Sequence, residues 1–508
     1  MKKSSETNHL FRLVSASVVL QLLLSPIMPA VQMAVAKPIK QAAPATSNDG
    51  GASENLDSSV TRLESKVFGK SSSTLSLKVR LEALESSVFG SVQSGGLMTR
   101  IKALSDAVGS AKGPQGDAQV KQKEQPSGDV QSASSNLVPD DQSCGVTDKE
   151  IVLGSCSALS GQMSYRGLEV VKGGQAYFSY INDQGGINGR KIRLVSGDDR
   201  YTADGADQCF YSFLKGKVFL ATLFNSTVPA ARYVPKADVA RLPMVGFSTG
   251  ADFIVTPAHK YVFQVRASYG DEAAAQVDVL LNKLHRNRIA LVYQNDAYGA
   301  ACQSAVVHAL QTHSQSPCVE VSYPRLTTDV GPIIAKLKEV KPDAVIMGAS
   351  ASALPLLVRR RDEIGTDVQI VGFSPGTDLV VKEAGKAADG MLISQVLPYT
   401  NKDLATYKLF SSLIQKYAHA EPTDSSFEGF VIAMVVVDAL KRAGRNLNRE
   451  RLLKSLESMN NVDFGLGPNA RLSFSHDQHA GLKGIVFWST IDDGKVVPVS
   501  NWAKFVKH

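Results

Sequence analysis

Glu150-Ile151-Val152-Leu153-Gly154, an amphipathic run over 167–184 and Lys191-Ile192-Arg193-Leu194-Val195-Ser196 follow one another with short loops between them. A short β-branched run reads as a strand, and a longer run with apolar residues every three or four positions reads as a helix. The alternation continues with a helix over 203–215 and a strand over 218–223. Further strands are expected over 288–293, 319–323, 344–347 and 369–371. Strand and helix in alternation build a parallel sheet with helices on both faces. From Val146 to the C-terminus there are about 360 residues, more than one such sheet needs and enough for two α/β lobes.

An internal echo supports two lobes. Val245-Gly246-Phe247-Ser248-Thr249-Gly250-Ala251-Asp252-Phe253 recurs as Val371-Gly372-Phe373-Ser374-Pro375-Gly376-Thr377-Asp378-Leu379. Both copies follow a strand, where open α/β sheets bind their ligands. Both also match G-x-S-x-G, so a serine hydrolase has to be weighed. A nucleophile elbow needs a helix directly after the serine, and Pro257 follows Ser248 too soon for one. After Ser374, Pro375 stands where an oxyanion-hole N–H is required, and proline has none. The hydrolase is the remote alternative, and no catalytic residue is assigned.

The chain has 508 residues with 55 Lys and Arg against 48 Asp and Glu, a net charge of +7. That excess is small for the length and unclustered, which argues against nucleic acid. No Walker loop or G-x-G-x-x-G appears, so no cofactor is expected. His476 and His479 lack the glutamate and third ligand of a zinc helix and read as a polar loop, so no metal is expected either. Arg359, Arg360 and Arg361 read as a solvated helix face. Five cysteines, Cys144, Cys156, Cys209, Cys302 and Cys318, rule out a disulfide-built scaffold but fix no pairing.

Ahead of Val146 the composition changes. Lys2, Lys3 and Arg12 flank an apolar run over 13–24, and Ala34-Val35-Ala36 supplies a cleavage site, so 1–36 reads as a signal peptide. Export to the periplasm, or another extracytoplasmic space, follows. Over 37–109 a degenerate repeat sets Leu56, Val60, Leu63 and Val67 in a helical stripe, echoed by Leu77, Leu81, Leu84 and Val88 and by Leu97, Ile101, Leu104 and Val108. Helices this short are marginal alone. They either pack together, on another chain or on the envelope, or fluctuate as a spacer. Residues 110–145 read as a flexible linker and 146–508 as the main domain.

Within that domain several segments carry a family resemblance. They are Val146-Thr147-Asp148-Lys149-Glu150-Ile151-Val152-Leu153-Gly154 leading to Leu159-Ser160-Gly161, and Ile181-Asn182-Asp183-Gln184-Gly185-Gly186-Ile187-Asn188-Gly189-Arg190-Lys191. Asp198-Asp199, Asn295-Asp296-Ala297-Tyr298-Gly299, Glu428-Gly429-Phe430 and Ala439-Leu440-Lys441-Arg442-Ala443-Gly444 follow in order. Together they resemble the branched-chain amino-acid (leucine/isoleucine/valine) type of periplasmic solute-binding proteins. The resemblance implies two lobes joined by three crossovers, lobe one over about 147–266 and 397–465 and lobe two over about 267–396 and 466–508. It implies a ligand held between the lobes and enclosed by hinge closure. In lobe one it points to Ser160 and Tyr165, to Asn225, Ser226 and Thr227, and to Ser248 and Thr249. In lobe two it points to Tyr298 and Ser374.

Where relatives that bind amino acids carry an acid for the ligand ammonium, this chain has Phe373-Ser374-Pro375. Ser350 stands where an aromatic is often found. A carboxylate, an amide or another small polar ligand fits better than an α-amino acid, unless Asp378 restores the acid. The expected role is capture of that ligand for an ABC permease. The alternative is a ligand sensor reporting to a membrane receptor, and the repeat is a candidate for envelope contact or self-association.

Overall fold

The computed structural model describes residues 58–63, 81, 100–102, 104–105, 142–161, 163–325, 327–349 and 353–506. The expected signal peptide, nearly all of the linker, and Ser350 lie outside these residues. Of the repeat region only a few residues are described; among them Val60, Leu63, Leu81, Ile101 and Leu104 are buried while Arg62 and Lys102 are exposed.

Lobe one starts with β1 (Glu150–Ser157), α1 (Ser164–Asp183), β2 (Lys191–Asp198), α2 (Ala203–Lys215), β3 (Leu220–Asn225), α3 (Thr227–Ala240), β4 (Met244–Ser248) and β5 (Val262–Phe263). Its sheet has the order β2-β1-β3-β4-β5, all parallel. The third strand begins two residues later than the sequence predicts. Val218 and Phe219 are buried as the approach to it, and the strand runs on to Asn225. Cys156 on β1 and Cys209 on α2 form a disulfide, Cα atoms 6.0 Å apart. Cys144, Cys302 and Cys318 are free thiols.

Lobe two follows with α4 (Tyr269–Asp278), β6 (Ile289–Asn295), α5 (Ala297–Thr312), β7 (Val319–Pro324), α6 (Gly331–Val340), β8 (Ala344–Gly348), α7 (Ala353–Arg359), β9 (Gln369–Gly372), α8 (Thr377–Ala384) and β10 (Leu392–Gln395). The chain then returns to lobe one as α9 (Ala405–Ala418), α10 (Asp424–Ala443) and α11 (Arg449–Glu457), followed by the small pair β11 (Val462–Asp463) and β12 (Arg471–Leu472). It ends in lobe two with β13 (Phe487–Asp492) and β14 (Lys495–Pro498). The second sheet is ordered β14-β13-β10-β9-β8-β6-β7, with β13 and β14 antiparallel to their neighbours.

Period-two alternation gives the second sheet a core on each face. Ile289, Leu291, Ile346 and Val371 pack on one side, and Ala290, Val292, Val345 and Ile370 on the other. In lobe one, α10 lies against α1 at backbone contact. A Cβ on Gly173 would stand 1.8 Å from the Ser426 carbonyl oxygen, and one on Gly429 would stand 1.9 Å from that of Val170. Only glycine fits that crossing.

The lobes meet at three crossovers. The first and third run side by side: Gln264 N–H donates to the His479 carbonyl (2.8 Å) and Leu482 N–H to that of Val265 (2.9 Å). The third crossover comes after Leu482, later than the expected 465. Leu466, Leu472, Phe474 and Leu482 all sit in the lobe-one core, because β11 and β12 fold back onto it. His479 is likewise buried rather than on a polar loop. Its ring stacks on Phe263 at 3.8 Å, and its Nδ1 faces the carbonyls of His259 and Val262.

Candidate functional site

In lobe one the chain leaves β1 for β2 on one side and reaches β3 on the other, so loops diverge at the carboxyl ends of these strands and open a crevice. There the loops of lobe one face those of lobe two across a cavity of about 20 Å³. That is room for one or two water molecules. Seating a solute of several heavy atoms therefore needs the lobes to stand further apart.

Asn225, Ser226, Thr227 and Ser248 line the cavity from lobe one, Tyr298 from lobe two. Asn225 ends β3 and is 1% exposed, and its Nδ2 has no hydrogen-bond partner. Ser226 turns the chain from strand to helix at φ 86°, a left-handed conformation costly for serine, and its Oγ is also buried without a partner. The helix begins at once with Thr227, so its first N–H groups, which have no intrahelical acceptor, sit at the cavity. Thr227 Oγ1 is 2.6 Å from Thr249 Oγ1, which is 3.2 Å from the Tyr269 hydroxyl. Thr249 thus braces Thr227 from behind.

Other expected residues stand away from the cavity. Ser160 is exposed, its hydroxyl 2.6 Å from Asp198. Burial is the largest single influence on Asp198 and raises its pKa, but the bonds from Ser160, Leu159 and Arg200 together outweigh it and leave the carboxylate below its usual range. Tyr165 packs on the small cluster of Ala158, Met163 and Tyr201. Ser374 is fully buried: its N–H donates to Glu272 at 2.9 Å, and its hydroxyl is shared between Glu272 and Arg266. Pro375, one residue on, is what reaches the cavity. Asp378 does not restore an acid there, because it accepts the N–H groups of Asp424 (3.1 Å) and Ser425 (3.2 Å) and the Ser425 hydroxyl at the start of α10.

Behind the cavity runs a buried ionic chain that no sequence motif announced. Arg166 on α1 donates to Glu428 on α10 at 2.6 Å, and Glu428 lies 3.6 Å from Arg266 on the first crossover. Arg266 in turn pairs with Glu272 on α4, whose other oxygen accepts the Ser394 hydroxyl at 2.6 Å. Burial works against the Arg166 charge, but the surrounding carboxylates, Glu428 foremost, outweigh it and hold the guanidinium protonated. Burial pushes Glu272 up against the pull of Arg266. Ser248 spends its hydroxyl inside this chain, between Arg166 (2.9 Å) and Glu428 (2.7 Å). Neither Ser248 nor Ser374 has a bonded imidazole, so the hydrolase arrangement is not formed.

A second link joins the lobes at the cavity edge. The Tyr201 hydroxyl donates to Asp296 across the cleft at 2.9 Å, and Arg325 donates to the Tyr201 carbonyl at 3.1 Å. Asp296 also caps α5 through the N–H groups of Tyr298 and Gly299, while burial raises its pKa. Asp199, at the foot of the same loop, is raised to about 7 by burial. A larger groove of about 480 Å³ beside Arg286 and Arg361 lies at the opposite ends of the lobe-two strands, away from the convergent loops. Among the described residues no group of His, Cys, Asp and Glu is arranged to hold a metal, and no helix is long and apolar enough to cross a membrane.

A family model described as periplasmic binding protein matches residues 150–494. A relative named Leu/Ile/Val-binding protein homolog 7, from Brucella melitensis, is 24% identical over 373 residues, covering 69% of this chain and 91% of its own. A substrate-binding periplasmic protein from Ralstonia solanacearum superposes with a TM-score of 0.63 at 26% identity, over 69% of this chain and all of its own. A fatty acid ABC transporter substrate-binding protein from Thermomonospora curvata gives 0.64 at 23%, over 71% and 95%.

Proposed function

The chain belongs to the periplasmic binding protein family, and on that premise we propose that it is the extracytoplasmic capture component of an ABC importer. It is a binding protein and not an enzyme. In this reading a small polar solute enters between the lobes, closure about the crossovers encloses it, and the closed form delivers it to a membrane permease. One observation carries the reading. Asn225 and Ser226, with buried side-chain polar atoms that lack partners, converge on one interlobe cavity at a helix N-terminus. Buried polar groups left unmade are costly, and a bound solute removes that cost.

Closure strengthens those bonds by excluding water. The first and third crossovers, paired through Gln264 and His479, give the lobes a narrow axis to turn on. Relatives and neighbours named for branched-chain amino acids and fatty acids share the architecture, so the fold leaves the ligand open.

Native mass spectrometry of protein purified from rich medium tests the reading. A stoichiometric small molecule is expected, absent from Asn225→Ala, with the lobes closer by solution scattering when it is bound. A folded protein that neither retains a small molecule nor binds one from a metabolite panel would sink the proposal.

A further inference from the structure

Resting on that cleft reading, we propose that the ligand is a small organic carboxylic acid with an apolar body and no ammonium group. The cavity supplies donors. Asn225 Nδ2 and Arg166 Nε are buried, unpartnered N–H groups of lining residues, and the Ser226 hydroxyl beside them is free to donate. Asn225, Ser226 and Arg166 are 1%, 7% and 3% exposed, so bulk solvent does not reach them. The first N–H groups of α3 add a positive helix end. These groups together suit a carboxylate, which accepts several hydrogen bonds at once and gains from each charge-assisted one.

Anionic acceptors for a cation are missing from the same wall. Among the described residues no Asp or Glu lines the cavity. The carboxylates nearest to it are engaged elsewhere. Glu428 is held between Arg166 and Arg266, Glu272 by Arg266 and two serines, Asp296 by Tyr201 and Gln294, and Asp378 by the start of α10. An α-amino acid seated here would bury an ammonium opposite neutral groups, which costs more than its carboxylate partners return. The remaining walls are apolar or aromatic: Met163, Tyr269, Pro375 and the ring of Tyr298, whose buried hydroxyl is one more unpartnered group able to donate to an anion. Such walls suit a hydrocarbon or phenyl body.

The test is calorimetric titration of the whole mature protein, stripped of bound solute, with matched probes sharing one body. 4-Methylpentanoate, leucine and isopentylamine form one set, and 3-phenylpropanoate, phenylalanine and phenethylamine the other. The acid of at least one set is expected to bind at least about tenfold more tightly than its amino acid, with the amine silent. Asn225→Asp, which adds a negative charge to the wall, is expected to weaken the acid at least about tenfold. Ser226→Ala, which leaves the charge unchanged, serves if the Asp variant does not fold, and is expected to weaken the acid severalfold. If an amino acid or amine binds as tightly as the matched acid, the carboxylic-acid assignment falls while the cleft reading stands. If no probe binds and a broad metabolite panel also fails, both fall together.

Discussion

Two buried polar regions meet at the cleft, one charged and paired, the other neutral and open. In the hinge-side chain from Arg166 through Glu428 and Arg266 to Glu272, charges alternate in sign, and Ser248, Ser374 and Ser394 donate to its carboxylates. At the cavity wall, Asn225 Nδ2 and Ser226 Oγ are uncharged and unmatched. The first pattern is what a protein needs to hold two lobes in register. The second is what it keeps for something that arrives. Burial alone therefore does not mark a functional residue; an unpartnered polar atom points to a ligand where it also lines the cavity between the convergent loops, as at Asn225 and Ser226.

The contrast predicts opposite signs on mutation, and the largest effect belongs to the paired side. Glu428→Gln keeps the shape but leaves Arg166 and Arg266 close together with one carboxylate fewer. Breaking a buried pair this way costs about 3–5 kcal/mol. Urea unfolding is expected to show a loss of that size at unchanged slope. A loss below about 1 kcal/mol would mean that the chain is not what holds the lobes together.

How much of this could be read in the sequence depends on the kind of signal. The strand-helix alternation around Glu150 and Lys191 gave the architecture, because period is written directly in the residue order. Asn225, Ser226, Thr227 and Ser248 were reachable because a strand-exit loop is a local feature. The ionic chain was not. Arg166 lies on a helix expected to begin only at residue 167, and its partner Glu428 is 262 residues away. Nothing local distinguishes it from a solvated arginine. Ser374 misled for the matching reason: its loop repeats that of Ser248, but in three dimensions Glu272 and Arg266 claim it. Local patterns locate loops, and only tertiary pairing tells which side chains in them remain free.

Asp199 tests a case between the two regions, a buried carboxyl with only a partial set of partners. It accepts the Tyr201 N–H at 2.8 Å but meets no cation, and burial raises its pKa to about 7. An unfolded aspartate loses its proton near pH 4. Between those values the folded state holds the extra proton, so stability falls as pH rises from about 4 to about 7 and is level above that. The difference is roughly 4 kcal/mol. Asp199→Asn keeps the acceptor for Tyr201 and removes the titration. Melting curves at several pH values are expected to show a downward slope in the wild type that is reduced by this amount in the variant. Parallel slopes would mean that Asp199 ionises normally.

The smallest effect has the opposite sign. Ser226 combines an unpartnered hydroxyl with φ 86°, a backbone conformation that glycine adopts without strain. Ser226→Gly removes both costs and adds only the entropy of a freer unfolded chain, so the unliganded protein is expected to gain about 1 kcal/mol. The same change deletes a donor from the cavity, so affinity for the captured solute should fall severalfold. Stability measured without ligand, alongside affinity in the same preparation, reads both. A variant that loses stability and keeps its affinity would place Ser226 with the hinge-side residues, as a part of the frame rather than of the binding wall.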